Sequence, residues 1–227
     1  MGFSEKQEIH DDPDLPGNRQ DEISQAPSEV YDDNDFEERD PELILHLVYA
    51  ALFAALIAAG AYIRIALPFV PITLQTFFVI MAAVLLGRKW GTVSVVVYLL
   101  VGLIGLPVFS GGTGGTGVLL GPTGGYLYSF VIVSFIVGFL SDRVIRPNAG
   151  KYSKLRFSLM TFFIAVAGSL LILLIGTIHL MYVTDLPFRM AFYAGFLPFV
   201  PGEILKSLVV VPTAGSLFMK TGKQKNV

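Results

Sequence analysis

The chain has 227 residues, of which 53% are hydrophobic and only 15% carry a charge. This composition excludes an ordinary soluble domain of this size and predicts an integral membrane protein in a lipid bilayer. The net charge of −2 gives no indication of a nucleic acid partner, because it is the sum of two oppositely charged parts of the chain.

Residues 1–42 form a strongly acidic segment. They hold 15 of the 18 acidic residues and three basic ones, a net charge of −12, whereas residues 43–227 hold three acidic and 13 basic ones, a net charge of +10. The segment has four prolines and few hydrophobic residues, so it cannot bury enough apolar surface to offset its ordering entropy. We predict a disordered tail over 1–42, a transmembrane domain over 43–220 and a short basic C-terminal segment over 221–227.

Six hydrophobic segments are predicted to cross the membrane, each needing about 20 apolar residues. The second begins as a loop rather than a helix because it contains Pro68 and Pro71. The stretch from Trp90 to Ser141 has no formal charge and has room for two spans with a glycine-rich connection between them. The predicted fold class is therefore an all-α membrane protein with spans at 43–63, 65–87, two within 90–141, 157–184 and 198–219.

Lysine and arginine indicate the orientation, because short cytoplasmic loops carry an excess of them. The loops on one side hold only Arg64, Asp185 and Arg189 as charged residues. We predict that this side is external and that both termini are cytoplasmic. The basic residues of the other side are Arg88, Lys89, Arg143, Arg146, Lys151, Lys154, Arg156, Lys220, Lys223 and Lys225.

The sixth span contains two charged residues, Glu203 and Lys206, directly after Pro201 and Gly202. Their spacing of three places both side chains on one helix face. Ionisable groups inside a span are costly and commonly mark a binding site, although a structural ion pair that locks the bundle is the alternative. A pocket could open here because the proline and glycine interrupt the start of the helix.

The connection after the third span is rich in glycine at residues 105–117 and again at 121–125. Glycine allows the backbone to approach a ligand closely. Gly112, Gly114 and Gly117 match the spacing of a dinucleotide fingerprint, but the βαβ context that this motif requires is missing. No cofactor is predicted, and no metal site, because His179 lacks a second ligand at metal spacing.

The loop after the first span combines two prolines with Arg64, Thr73 and Gln75. Fixed donors on a proline-stiffened segment suit the wall of a pocket. A plain connector is the alternative interpretation.

The first span carries small residues on two adjacent four-residue ladders, Ala50–Ala54–Ala58 and Ala51–Ala55–Ala59. Small side chains let another helix come close. Spacing alone leaves open whether that helix belongs to the same bundle or to a partner.

Four motifs together resemble the BioY family, the biotin-binding S components of energy-coupling factor (ECF) importers. The resemblance covers residues 43–220 in matching order. Three departures are an Asp that the family more often has in place of Glu203, a Trp that it usually has near His179, and the acidic tail. The motifs are Pro71-Ile72-Thr73-Leu74-Gln75-Thr76, Gly105-Leu106-Pro107-Val108-Phe109, Gly121-Pro122-Thr123-Gly124-Gly125-Tyr126 and Pro201-Gly202-Glu203-Ile204-Leu205-Lys206.

The resemblance implies a six-helix S-component fold that binds biotin near the outer face and is not an enzyme. It also implies a T subunit and ATP-binding subunits on separate chains, in a bacterial or archaeal plasma membrane. The implied docking residues for the T subunit are Ala51, Ala54, Ala55, Ala58 and Ala59. The implied substrate-binding residues are Glu203, Lys206, Arg64, Thr73, Gln75, Phe109, Gly112, Gly121, Thr123, Gly124, Gly125, Tyr126 and Arg189.

The chemistry of biotin suits these residue types. Glu203 would accept from the ureido N–H groups, and Lys206 would meet either the ureido carbonyl or the valerate carboxylate. Arg64 and Arg189 are rival partners for that carboxylate. Two alternatives remain: an S component for another small carboxylated nutrient, and an intramembrane enzyme with Glu203 as its base, for which no nucleophile or metal set is evident.

We expect deletion of residues 1–42 to leave biotin affinity unchanged, because a disordered cytoplasmic tail lies on the opposite side of the membrane from the pocket. Calorimetric titration of the truncated and the full chain measures this. A loss of more than about tenfold, roughly 1.4 kcal/mol, would mean that the tail contributes to the folded body.

Overall fold

The computed structural model describes residues 40–148 and 151–224, with side chains through Phe218. The predicted disorder of residues 1–39 and the basic end of the chain beyond Gln224 lie outside the described residues. The described part is mainly helical, and its one two-stranded sheet is an antiparallel hairpin in which Arg64 pairs with Thr73 and Ile65 with Ile72. Its elements are α1 (Pro41–Tyr62), β1 (Arg64–Ile65), β2 (Ile72–Thr73), α2 (Gln75–Leu103), α3 (Thr116–Leu120), α4 (Gly124–Leu140), α5 (Lys154–Thr184), α6 (Phe188–Gly195) and α7 (Val200–Gln224).

Helix α1 begins slightly earlier than predicted. Asp40 caps it, since its side chain accepts a hydrogen bond of 3.0 Å from the backbone N–H of Glu42, and Pro41 occupies the first turn, where no N–H is required. The predicted tail boundary at residue 42 therefore falls inside the first turn of α1. A truncation that keeps this helix intact starts at Asp40.

Five helical segments in the described chain are long and apolar enough to cross a membrane, instead of the six that were predicted. The difference arises in α2, which runs through the predicted boundary between the second and third spans. The last segment contains α6, a short turn at Leu197–Phe199 and the start of α7. The five segments are Pro41–Tyr62, Gln75–Leu103, Gly124–Asn148, Lys154–Thr184 and Phe188–Phe218.

Helix α2 folds back on itself at Gly87, whose φ of 78° and ψ of −169° are not helical. A Cβ on Gly91 would lie 2.8 Å from the Cα of Ala83, so the two arms of α2 touch. Gln75 and Tyr98, which are hydrogen-bonded, would be about 34 Å apart along a straight helix. Arms 75–86 and 88–103 therefore lie side by side and antiparallel.

The turn at Gly87 is held by the residues that follow α4. Asp142 accepts a 2.9 Å hydrogen bond from the backbone N–H of Arg88 and forms a 3.2 Å ion pair with Arg146. Arg146 in turn donates to the carbonyl of Leu85. The Asp142–Arg146 ion pair thus forms hydrogen bonds with the backbone at the end of the first arm and at the start of the second.

The two alanine ladders of α1 have different environments. Ala50 and Ala54 are only 2% and 7% exposed and belong to the face that packs inside the bundle, where α1 contacts α2. Ala58 is half-buried, and the other ladder, Ala51–Ala55–Ala59, is exposed. Ala54 is therefore covered by the protein's own helices, and the docking role of the alanine ladders stays a prediction.

We expect Gly87→Ala to destabilise the fold by about 1–3 kcal/mol, because the positive φ disfavours a side chain and the new Cβ would lie 2.2 Å from Asp142 Oδ1. Thermal melting in detergent measures the effect. Gly117→Ala is the matched control, since a Cβ there meets no atom within 4 Å. Equal melting temperatures for the two variants would contradict the proposed constraint on the turn.

Candidate functional site

The site is centred on Glu203, which lies in the first turn of α7 and is 2% exposed. A carboxylate is favoured at a helix N-terminus because the unpaired backbone N–H groups there carry partial positive charge. Pro201, two residues earlier, is tolerated in the first turn because the backbone N–H that proline lacks has no partner there. Glu203 Oε1 accepts hydrogen bonds from Thr76 Oγ1 at 2.8 Å and Lys206 Nζ at 2.7 Å.

Lys206 is fully engaged by the protein. Besides Glu203, its Nζ donates to the carbonyl of Thr73 at 2.7 Å and to Thr76 Oγ1 at 2.9 Å. A lysine ammonium has three donors, and these three partners use them all. The predicted i, i+3 ion pair is present, but Lys206 has no spare donor for a ligand and instead fixes the position of the Glu203 carboxylate.

The second carboxylate oxygen of Glu203, Oε2, is buried and has no hydrogen-bond partner among the described residues. An unpaired buried acceptor costs about 1–3 kcal/mol, and more if it is charged. Glu203 lines a pocket that holds about 640 Å³ of space free of protein atoms, open solvent at the mouth included. This oxygen is thus available to accept a hydrogen bond from a bound molecule.

The pocket lies between the β1–β2 hairpin, the glycine-rich loop at residues 104–115, and helices α4, α5 and α7. Its lining is mainly apolar and aromatic, with a few polar groups, as is typical of small-molecule sites. One of these polar groups, Ser110 Oγ, is also buried without a hydrogen-bond partner. The lining residues are Val70, Pro71, Thr73, Gln75, Thr76, Phe109, Ser110, Thr113, Val118, Thr123, Tyr126, Leu127, Phe130, Leu173, Phe199 and Glu203.

A chain of hydrogen bonds joins two walls of this pocket. Thr73 Oγ1 donates to Gln75 Oε1 at 3.1 Å, and Gln75 Nε2 donates to the hydroxyl of Tyr98 on the second arm of α2. The Tyr98 hydroxyl donates to the carbonyl of Val108 at 3.3 Å. The β1–β2 hairpin and the glycine-rich loop are therefore connected through a buried tyrosine.

Arg64 lies beside the glycine-rich loop. A Cβ on Gly111 would come within 2.6 Å of Arg64 Nη1, so the close approach of the guanidinium depends on glycine at this position, which also has a φ of 83°. The neighbouring Tyr62 donates from its hydroxyl to the carbonyl of Pro107. Because Ser110 adjoins Gly111 and lines the pocket, Arg64 is placed near the pocket without lining it.

Three of the glycines predicted to contact the ligand lie beside His179 of α5. Gly124 and Gly125 face His179 of α5, where an added Cβ would lie 3.2 Å and 2.2 Å from the imidazole side chain. The carbonyl of Gly121 is 3.2 Å from His179 Nε2. These glycines bring the start of α4 against α5, which positions the next residue, Tyr126, in the pocket wall.

The structure brings six of the thirteen predicted binding residues to the pocket surface, namely Thr73, Gln75, Phe109, Thr123, Tyr126 and Glu203. The lining does not include Lys206, Arg64, Gly112, Gly121, Gly124, Gly125 and Arg189, and Arg189 is exposed on α6. Sequence reasoning missed Thr76 and Ser110, although both lie within segments that it singled out. Leu173 and Phe199 had no local signal, because only tertiary packing brings them there.

Comparison with known proteins gives consistent matches. The chain matches the model of the BioY family over residues 33–221. It is 42% identical over 164 residues to the biotin transporter BioY of Thermotoga maritima, which covers 72% of this chain and 89% of the relative. It is 39% identical over 168 residues to the biotin transporter BioY of Rhizobium etli, with 72% and 87% covered.

A solved structure is also similar. It is described as the S-component for biotin from an ECF-type ABC transporter, and it matches with a TM-score of 0.69 and 30% identity over 78% of this chain and 92% of that chain. Its similarity confirms an S-component type of fold. Together with the five apolar helices, the relatives show that this chain is a multi-pass membrane protein.

Proposed function

Because the chain belongs to the BioY family, we propose that it is the membrane-embedded substrate-binding subunit for biotin uptake in an ECF-type importer. The observation that carries the proposal is the buried, unpaired Oε2 of Glu203 in an apolar pocket. The chain is a transport protein and not an enzyme, as its relatives are named biotin transporters. If the substrate were another carboxylated nutrient, Glu203 Oε2 would have to accept a hydrogen bond from a donor on that molecule instead of a ureido N–H.

The ureido ring of biotin offers two N–H donors and one carbonyl acceptor. Glu203 Oε2 accepts from one ureido N–H, which removes the cost of leaving that oxygen unpaired. Ser110 Oγ, which is also buried without a hydrogen-bond partner among the described residues, donates to the ureido carbonyl. The apolar faces of the bicyclic ring pack against the aromatic side chains of Phe109, Tyr126 and Phe199.

The valerate carboxylate requires a cation, and Arg64 is the best placed of the three candidates. Lys206 has no spare donor, and Arg189 is exposed on α6. Arg64 contacts Gly111, which adjoins the pocket-lining Ser110, so its guanidinium is near the mouth. A planar guanidinium can also bind a carboxylate with two parallel hydrogen bonds.

The proposal counts α2 as two arms, so that the five long helical segments give six crossings. Arm 75–86 runs from the pocket to the basic turn at Arg88 and Lys89, and arm 88–103 returns. The positive-inside rule then places this turn and both termini in the cytoplasm and the pocket near the outer face. The membrane would be the plasma membrane of a bacterium or archaeon.

Substrate capture alone does not move biotin inward, so the proposal includes a T subunit and ATP-binding subunits on separate chains. The exposed ladder Ala51–Ala55–Ala59 provides the surface for the T subunit, with the half-buried Ala58 at its edge. Small residues in this position let a partner helix approach the backbone of α1 closely.

We expect titration calorimetry to show tight biotin binding without product formation, and Glu203→Gln to weaken it by about 1.5–3 kcal/mol, roughly 10- to 150-fold. The amide has one acceptor oxygen and one NH2 donor. Either the hydrogen bonds that Oε1 accepts within the protein or the one that Oε2 accepts from the ureido N–H are therefore lost. Glu203→Asp should lower the affinity less than Glu203→Gln.

Lys206→Met should lower both biotin affinity and melting temperature, because it leaves a buried carboxylate without its cation, a cost of about 3–5 kcal/mol in fully buried pairs.

Ser207→Ala is the matched control for this series. Ser207 lies on the same helix and is 1% exposed, but its hydroxyl does not line the pocket. If Glu203→Gln and Lys206→Met bind biotin as well as wild type and only melt earlier, the ion pair is structural. Absence of biotin binding in the folded wild-type chain, with desthiobiotin also inactive, would contradict the proposed substrate.

We expect Ala55→Trp to reduce co-purification of the T subunit at least tenfold while biotin affinity of the isolated chain stays unchanged, because the indole blocks close helix approach. Leu174→Trp on α5 is the control, since Leu174 is also apolar and 49% exposed. Loss of biotin affinity with intact assembly would mean that the ladder packs inside the bundle.

A further inference from the structure

A second cavity lies far from the pocket, beside the turn at Gly87. It is a groove between the second arm of α2 and α4 and holds about 790 Å³ of space free of protein atoms, open solvent included. Arg88 and Lys89 line one end, and Val93, Val96, Val97 and Phe135 line its length. The charged residues therefore lie at one end of the groove, and the apolar residues follow along the axis of α2.

The helical repeat explains this separation. Lys89, Val93 and Val97 are four residues apart and form one row, and Val96 lies on the adjacent row that begins at Arg88. From Arg88 to Val97 the groove extends about 14 Å along the helix. The same face thus starts with two cations and continues as a hydrocarbon-like surface into the predicted membrane-spanning region.

Both cations line the groove, and Arg88 is held there by the ring of Phe135, which lines it too. The guanidinium carbon of Arg88 lies 5.7 Å from the ring centre of Phe135, and Lys89 Nζ lies 5.1 Å from that of Trp90. Neither side chain has an ion pair within the described residues. The carboxylate of Asp142, at the same turn, forms its ion pair with Arg146 and accepts from the backbone N–H of Arg88.

We propose that this groove binds one phospholipid with an anionic headgroup. The phosphate lies between Arg88 and Lys89, and an acyl chain lies along the valines and Phe135. Each basic side chain near the membrane surface attracts anionic lipid, and an arginine stacked on an aromatic ring is held in place for such contact. The inference goes beyond the proposed function and does not depend on the identity of the transported substrate.

The shape favours a lipid over a soluble phosphate. Val96 and Val97 are each 36% exposed and Phe135 is 49% exposed, so the apolar part of the groove is open towards the hydrocarbon. A soluble phosphate ester would use the two cations alone and leave this surface without a function. An acyl chain attached to the same phosphate covers it.

The test is native mass spectrometry of the full chain released from bilayer discs that contain equal amounts of phosphatidylglycerol and phosphatidylcholine. We expect one phosphatidylglycerol to be retained in preference. Arg88→Gln and Lys89→Gln should each reduce the preference about fivefold, and the double variant should abolish it. Arg143→Gln is the matched control, because Arg143 stacks on Phe139 in the same way, at 5.4 Å, but does not line the groove.

Three results would overturn the proposal. If Arg143→Gln reduces the preference for phosphatidylglycerol as much as the groove variants do, general surface charge and not the groove attracts the lipid. Displacement of the adduct by glycerophosphoglycerol, which has the headgroup but no chains, would mean that the groove recognises a soluble phosphate ester. Retained lipid preference in the double variant together with lost T-subunit binding would mean that this face docks a protein.

Discussion

The buried ion pair between Glu203 and Lys206 is the constraint on which the binding site depends. Two charges inside a low-dielectric bundle are costly, and hydrogen bonds to their remaining donors and acceptors reduce that cost. Lys206 meets this requirement by reaching the carbonyl of Thr73 and the hydroxyl of Thr76, which belong to the β1–β2 hairpin and the start of α2. The need to satisfy one ammonium therefore joins α7 to two elements whose bonding residues lie 133 and 130 positions earlier in the sequence. The geometry leaves one carboxylate oxygen, Oε2 of Glu203, unpaired at the pocket.

The same network explains how occupancy of the pocket could be sensed by the loops around it. Thr73 contributes its carbonyl to Lys206 and its hydroxyl to Gln75, and Gln75 bonds to Tyr98, whose hydroxyl reaches Val108 in the glycine-rich loop. A ligand that pulls on the Glu203 carboxylate thus acts on a continuous set of hydrogen bonds that includes both walls of the site. Side-chain networks of this kind are coupled more strongly than their separate pairs suggest.

The parts of the fold and the site that could be predicted are those that local chemistry decides. Glu203 and Lys206 share a face because of their spacing, and the second predicted span ended at Gly87, where α2 folds back. The alanine ladders show the limit, since spacing is identical for Ala54, which is buried, and Ala55, which is exposed. The role of Lys206 was also not predictable, because its partner, the carbonyl of Thr73, is a backbone group that any residue would supply.

Two glycines outside the predicted motifs show how a residue can shape the pocket without lining it. Gly102 faces the ring of Phe109, Gly176 faces the ring of Tyr126, and in each case an added Cβ would lie within 2.3 Å of ring carbons. Both rings line the pocket, whereas Gly102 and Gly176 do not. Each glycine therefore packs against the side of a ring that faces away from the pocket. Rings held in this way lose little freedom on binding, which favours affinity through preorganisation. A glycine-rich membrane protein can therefore encode the shape of its pocket in residues that never touch the substrate.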